Sequence, residues 1–223
     1  MELTDETLQT LRTFAGINGN ILIEEGKIIR TVSETKTVMA KAELNDEFPT
    51  SFGIYDLREF LSVMNLVDAP NFTFSDKYVT ISDSSGRSKI KYFYSDPSTL
   101  TTVTKDITDF STEAWFRIDK PTFTKIKNAA AALGHTEVVA SIDNGVMTLT
   151  VRSLDDDTSN AFSVVVEGES DSEDLRAVFN INNLKLLHDG GYEVMISRKL
   201  ISIFADTESN TTYWVALQKS SNI

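Results

Sequence analysis

Tyr94 to Ile118 reads YSDPSTLTTVTKDITDFSTEAWFRI, and the way this stretch is taken decides how the rest of the chain divides. Pro97 lacks the N–H that a strand ladder needs, Ser and Thr crowd the first half, and no helical stripe runs through it, so residues 95–117 read as a connector. A connector this long is rare inside one compact domain and belongs to linkers and binding loops. Leu100, Val103, Ile107 and Phe110 put apolar side chains where a bare linker would be polar, so the stretch is expected to do both jobs.

What lies on either side has the same order of elements. Before the connector, residues 4–16 form an amphipathic helix capped by Thr4 or Asp5, with Leu8, Leu11, Phe14 and Ala15 on one face. A hairpin around Glu25-Gly26, a strand at 36–44 and a short strand after Pro49 lead to a second helix, capped by Asp56 and buried through Leu57, Phe60, Leu61 and Met64. The strands NFTFS, YVTISD and KIKYFY follow. After the connector, residues 119–134 again form a helix, with Asp119 as cap, Pro121 in the first turn and Gly134 as stop. Then come a hairpin at Asn144-Gly145, a strand AFSVVVE at 161–167, a strand AVFNI leading into a short helix NINNLKLLH, and the strands YEVMIS, LISIFAD and TYWVALQ.

Gly26 corresponds to Gly145, Asp56 to Asn180 and Tyr92 to Tyr213, at a near-constant interval. The expected fold class is therefore α+β, with an N-terminal domain over 1–94, the connector over 95–117 and a similar C-terminal domain over 118–223. Each domain is itself doubled into two βαβββ-like units.

Composition bounds the function. At 223 residues, 41% hydrophobic and 24% charged, the chain has enough apolar residues for a sizeable core. It has no cysteine, which excludes disulfides and thiolate metal sites and fits a reducing compartment. The N-terminus is acidic and amphipathic and no apolar run approaches a membrane span, so neither export nor insertion is expected. A formal net charge of −12 argues against a protein basic all over, although an inner basic surface can hide inside an acidic average.

Catalytic patterns are scarce. His135 and His188 have no nucleophile in a recognisable elbow beside them, and neither phosphate-binding glycine motif occurs. Asp155-Asp156-Asp157 lacks the spacing of a calcium loop. It and the acidic run from Glu167 to Asp174 read as solvated hairpin loops, and Trp115, Phe116, Tyr213 and Trp214 read as core. No enzyme, cofactor or metal is expected. A hydrolase with unassembled carboxylates, or a β-rich phage virion or baseplate protein, are the rival readings.

Three stretches resemble the sliding clamps, or DNA polymerase processivity factors, of T-even-type bacteriophages: IYDLREFLSVMNLV at 54–67, DPSTL at 96–100, and the run from FNINNLKLL at 179 to YWVALQ at 213. The resemblance implies a DNA clamp fold assembled as a homotrimeric ring, with helices inside around duplex DNA of any sequence and sheets outside. It also implies a clamp loader, a replicative polymerase held by its C-terminal tail, and work in the cytoplasm of the host cell. On that reading Arg12, Arg58, Lys120, Lys125, Lys127 and Lys185 face the DNA, a sparse lining that suits sliding because every phosphate contact adds salt-dependent affinity. The tail would enter an apolar pocket of Met39, Leu100, Val103, Ile107, Phe110, Trp214 and Leu217. Exposed sheet edges need a partner, and head-to-tail pairing of unlike edges closes a ring. Lys89, Ile90, Tyr92 and Tyr94 of one subunit are therefore expected to meet Phe162, Val164 and Val166 of the next.

Overall fold

The computed structural model describes residues 1–103, 107–156 and 158–223. They form two compact units, Met1–Thr104 and Lys105–Ile223.

The first unit opens with α1 (Asp5–Ile17), where the Thr4 hydroxyl accepts from the Thr7 N–H, one of the donors a helix start leaves unpaired. Leu11, Phe14 and Ala15 on its inner face are fully or almost fully buried. β1 (Ile21–Ile23) lies between β4 (Phe52–Ile54) and β2 (Gly26–Val32), and β2 continues to β3 (Val38–Phe48). Gly26, at φ 110°, makes the turn into β2, and the ladder then slips by a bulge between Gly26 and Ile28. α2 (Leu57–Met64) is capped by Asp56, which accepts from the Glu59 N–H, and buries Leu57, Phe60, Leu61 and Met64 as its spacing predicts. A three-stranded meander follows, β5 (Asn71–Phe74), β6 (Tyr78–Ser82) and β7 (Lys89–Phe93).

In the second unit α3 (Lys120–Leu133) starts under the Asp119 carboxylate and stops at Gly134 in the left-handed region, φ 70°. β9 (Glu137–Asp143) and β10 (Val146–Arg152) join through Asn144 and Gly145, both at positive φ, the tight turn that suits the strand twist. β13 (Arg176–Asn180) pairs with β9, and β11 (Phe162–Val165) with β10. α4 (Ile181–Leu184) is capped by Asn180, and β14 (Tyr192–Ser197), β15 (Ile201–Asp206) and β16 (Thr211–Ala216) close the chain. The core is a chain of edge-to-face rings, Phe123 to Tyr192 to Phe204 to Phe179 to Phe116, with neighbouring centroids 5.2–6.5 Å apart.

Four local readings need correction. Residues 114–117, taken as the end of an irregular connector, belong with Ile118 to strand β8 (Ala114–Ile118): Ala114, Phe116 and Ile118 alternate into the core, and β8 pairs with β14. Glu167–Ser170, taken as loop, is strand β12, whose acidic side chains stand on the outer face while Gly168 lets its backbone close on Phe116. As a result the segment 161–167 is not one strand. β11 stays with β10, the chain turns at Val166, and β12 pairs with β8 instead. The last helix is four residues long, and turns rather than helix carry the chain on through Leu187.

Candidate nucleic-acid interface and subunit edges

In each unit the two helices lie side by side, α1 with α2 and α3 with α4. Arg12 is exposed on α1, in a helix whose first turn carries Asp5 and Glu6. Arg58 is exposed on α2, and its Nε donates to the Ala15 carbonyl at 3.2 Å, closing the carbonyl end of α1 where a cation is favoured. Lys120 and Lys125 are exposed on α3 and Lys185 is exposed at the end of α4. Lys127 differs. Its ammonium is bound by Asp189 and lies 4.4 Å from the centre of the Phe123 ring, its side chain is only 14% exposed, and burial lowers its pKa. Five of the six cations therefore stand on exposed positions, while the sixth ties α3 to the turn after α4.

β7 ends the three-stranded sheet and β11 ends the four-stranded one, so each leaves a row of backbone groups without a strand neighbour inside its unit. The Tyr94 N–H donates to Lys77, in step with the pairs Tyr92–Val79 and Ile90–Ile81. In an antiparallel ladder alternate residues exchange both bonds, so the N–H and C=O of Lys89, Lys91 and Phe93 point to the free edge. By the same argument the Val166 N–H to Met147 bond leaves Ser163 and Val165 pointing outward from β11.

The side chains expected at the edges sit on these strands, but several turn inward. Tyr92 packs against Phe60 with ring centres 5.0 Å apart and its hydroxyl donates to the Asp56 carbonyl at 3.3 Å. Burial, with help from Glu59 and Asp56, pushes its pKa up to about 12. Tyr94 stacks at 5.0 Å on Phe52, and Ile90, Phe162, Val164 and Val166 are half-buried, whereas Lys89 is exposed. The apolar side chains that do stand out are Phe93, 65% exposed, and Val165, 66% exposed. Neither is among the interface side chains expected from the sequence, although both lie on the strands expected to pair and three consecutive valines at 164–166 cannot all face one side of a strand.

Among the connector residues, Leu100 is buried and reaches toward Gly53, while Val103, Ile107 and Phe110 are half-buried. Val103 borders a small cavity of about 50 Å³ with Leu22, Glu24, Arg30, Thr101 and Thr102. Met39 and Trp214 are half-buried and Leu217 is buried. Glu113, just before β8, is fixed by Arg198 and Ser111; burial alone would raise its pKa, and those hydrogen bonds outweigh it and leave it lowered.

No group of three or more His, Asp or Glu side chains able to hold a metal occurs among the described residues. Asp156 caps a turn at Thr158, and Asp157 lies outside the described residues. His135 bonds the Asn160 carbonyl.

Two α+β units, each with a helix pair and free strand edges, define the DNA clamp fold. The chain superposes on A. fulgidus PCNA, solved with the C-terminal region of FEN-1 bound, with a TM-score of 0.72, at 15% identity and over 99% of this chain and 98% of that one. Residues 4–102 match the family described as DNA polymerase processivity factor. The sliding clamp of Vibrio phage KVP40 is 30% identical over 210 residues, 92% of this chain and 94% of the relative, and that of Escherichia phage RB69 is 27% identical over 227 residues, 99% and 98%. The chain belongs to the sliding-clamp family, the processivity factors of DNA polymerases.

Proposed function

We propose that three copies of this chain close head to tail into a ring around duplex DNA and tether the replicative polymerase to it. The observation that carries this reading is the pair of unlike free edges, β7 and β11, each with an outward apolar side chain, Phe93 and Val165. A head-to-tail contact between unlike edges repeats until a rotation closes it. Val165 is the position to test, because its N–H points away from β10, so proline there removes a donor from the free edge and no bond from the ladder within the unit. Val165→Pro should sediment as a monomer with its fold intact. A trimer in that experiment would locate the contact elsewhere.

Arg12, Arg58, Lys120, Lys125 and Lys185 are the cations we assign to the DNA, and Lys125 is the best probe because it is exposed and Lys127 is not. Polymerase run lengths over a salt series should shorten for Lys125→Glu.

We further assign Met39, Val103, Ile107, Phe110 and Trp214 to the polymerase tail, with a clamp loader as second partner. The burial of Leu100 and Leu217 favours a packing role for those two residues. Leu100→Ala should lower the stability of the first unit, whereas Ile107→Ala should weaken tail binding in calorimetry by about 1–3 kcal/mol.

A further inference from the structure

The end of the connector is tied to one turn of the second unit. β14 and β15 join through residues 197–200, a turn closed by the Leu200 N–H donating to the Ser197 carbonyl at 3.0 Å, with Leu200 in the left-handed region at φ 58°. Three side chains from residues 109–113 reach that turn. Glu113 Oε1 receives Arg198 Nε at 2.8 Å and the Ser111 hydroxyl at 2.7 Å, and its Oε2 receives the Arg198 N–H at 2.8 Å. The Ser111 and Ser197 hydroxyls share a hydrogen bond of 3.2 Å, and the Lys199 ammonium binds the Asp109 carboxylate.

Glu113 is only 8% exposed, and a carboxylate that deep is costly unless it is paired and hydrogen-bonded, as it is here. The turn itself does not need it. In the first unit residues 33–36 make a turn of the same kind, with the Lys36 N–H donating to the Ser33 carbonyl at 2.8 Å and Lys36 at φ 56°. There a hydroxyl supports the turn, Ser33 Oγ accepting from the Thr37 and Val38 N–H groups. Strand pairing does not need the carboxylate either, because the Glu113 backbone is held by its own N–H, which donates to the Ile196 carbonyl at 2.9 Å. What the side chain adds is a hold on the chain just before it, where Ile107 and Phe110 lie half-buried. A buried ion pair is a poor source of stability, and fixing a position is the use that remains for it.

We infer that Glu113 is a positioning residue: through Arg198 and Ser111 it holds the connector's end on the β14–β15 turn, so that Ile107 and Phe110 are in place before a polymerase tail arrives. The inference rests on the assignment of the tail to those two side chains. Order already present in the free clamp need not be created on binding, so losing the lock costs affinity. The test is calorimetry of the intact clamp with a synthetic peptide of the C-terminal residues of the same phage's polymerase. Glu113→Gln should weaken the peptide about tenfold and speed amide exchange at residues 107–113 while leaving exchange in β14 and β15 unchanged. Arg198→Ala, which removes the same ion pair from an exposed position, is the second variant and should move affinity in the same direction. Cysteines at Ser111 and Ser197, whose hydroxyls already touch, replace the lock by a covalent one in a chain with no other cysteine. Added to Glu113→Gln, the oxidised bridge should restore peptide affinity and dithiothreitol should abolish the rescue. If the unsubstituted clamp binds the peptide and both single variants bind it equally well, or the bridge rescues nothing, the positioning role alone is overturned. If the unsubstituted clamp does not bind the peptide, the tail assignment falls and the positioning role with it.

Discussion

The first unit and the second run through the same elements and part company at one strand. In the second, β8 is a five-residue strand between β14 and β12. In the first, its place is held by a single bridge from Glu2 to Asn71, with the terminal ammonium donating to the Asn71 side chain and the Phe72 carbonyl. The consequence lies some fifty residues further on. With no β8 to serve, β3 runs unbroken for eleven residues, whereas its counterpart splits at Val166 so that β12 can cover β8. A repeated core tolerates different edges because core positions are fixed by burial and edges only by what needs covering.

The sharpest way to break the comparison is at the glycine where β12 meets β8. A Cβ on Gly168 would lie 2.5 Å from the Trp115 carbonyl oxygen and 2.8 Å from Phe116 Cβ, so Gly168→Val must push two strands apart. We expect a loss of about 3 kcal/mol or more in denaturant unfolding. In the first unit the tight place is Gly53, where a Cβ would meet the Ser95 carbonyl at 2.6 Å and Leu100 Cδ1 at 2.7 Å. Gly53→Val should cost less, about 2 kcal/mol, because one of its two close contacts is a leucine methyl that can move, whereas every close contact at Gly168 belongs to the paired strand β8. Equal costs would mean that β8 is held no more rigidly than the start of the connector.

A smaller effect separates two lysines of α3. Lys127→Glu removes the ion pair with Asp189 and sets two carboxylates together, so we expect a loss of about 1–2 kcal/mol. Lys125→Glu should change thermal stability by less than about 0.5 kcal/mol. Equal losses would show that the Asp189 pair contributes nothing to holding α3 on α4.

Much of this was legible in the sequence where the signal is local. Asp119 as cap, Gly134 as stop and Asn144-Gly145 as turn are each decided by chemistry within four residues, and the structure has all three. The strand AWFRI was not, because the Ser- and Thr-rich stretch before it hides a short alternation. Glu167-Gly168-Glu169-Ser170 is polar on both faces and becomes a strand only because β8 lies beside it. Lys127 reads like any helix lysine until Asp189, 62 residues away, is brought to it. The free edges were legible as strands, but which side chain of each points outward depends on the register, and so Tyr92 and Val164 were expected at the contact where Phe93 and Val165 stand exposed.

The smallest predicted effect concerns the caps of the two leading helices. In the second unit the cap itself titrates: hydrogen bonds from the Thr122 side chain and N–H hold the Asp119 carboxyl below its ordinary pKa. In the first unit the cap is Thr4, which does not titrate in acid, but its N–H and hydroxyl both donate to Asp46. Burial pushes the Asp46 pKa up, and the bonds from Thr7 and Thr4 outweigh it and leave it lowered. A carboxyl depressed in the folded state stabilises the fold fully above the unfolded pKa of about 4 and ceases to do so as pH falls through the lower folded value. Asn at either site keeps an acceptor oxygen and takes up no proton in this range. Thermal midpoints measured from pH 6 down to pH 2.5 should therefore fall less steeply for Asp119→Asn than for the unsubstituted chain, and Asp46→Asn should flatten the same limb by less, because acid reaches that helix start only through its support. A steeper rescue by Asp46→Asn would reverse the order and make the Thr4 cap depend on Asp46 more than the α3 cap depends on its own charge.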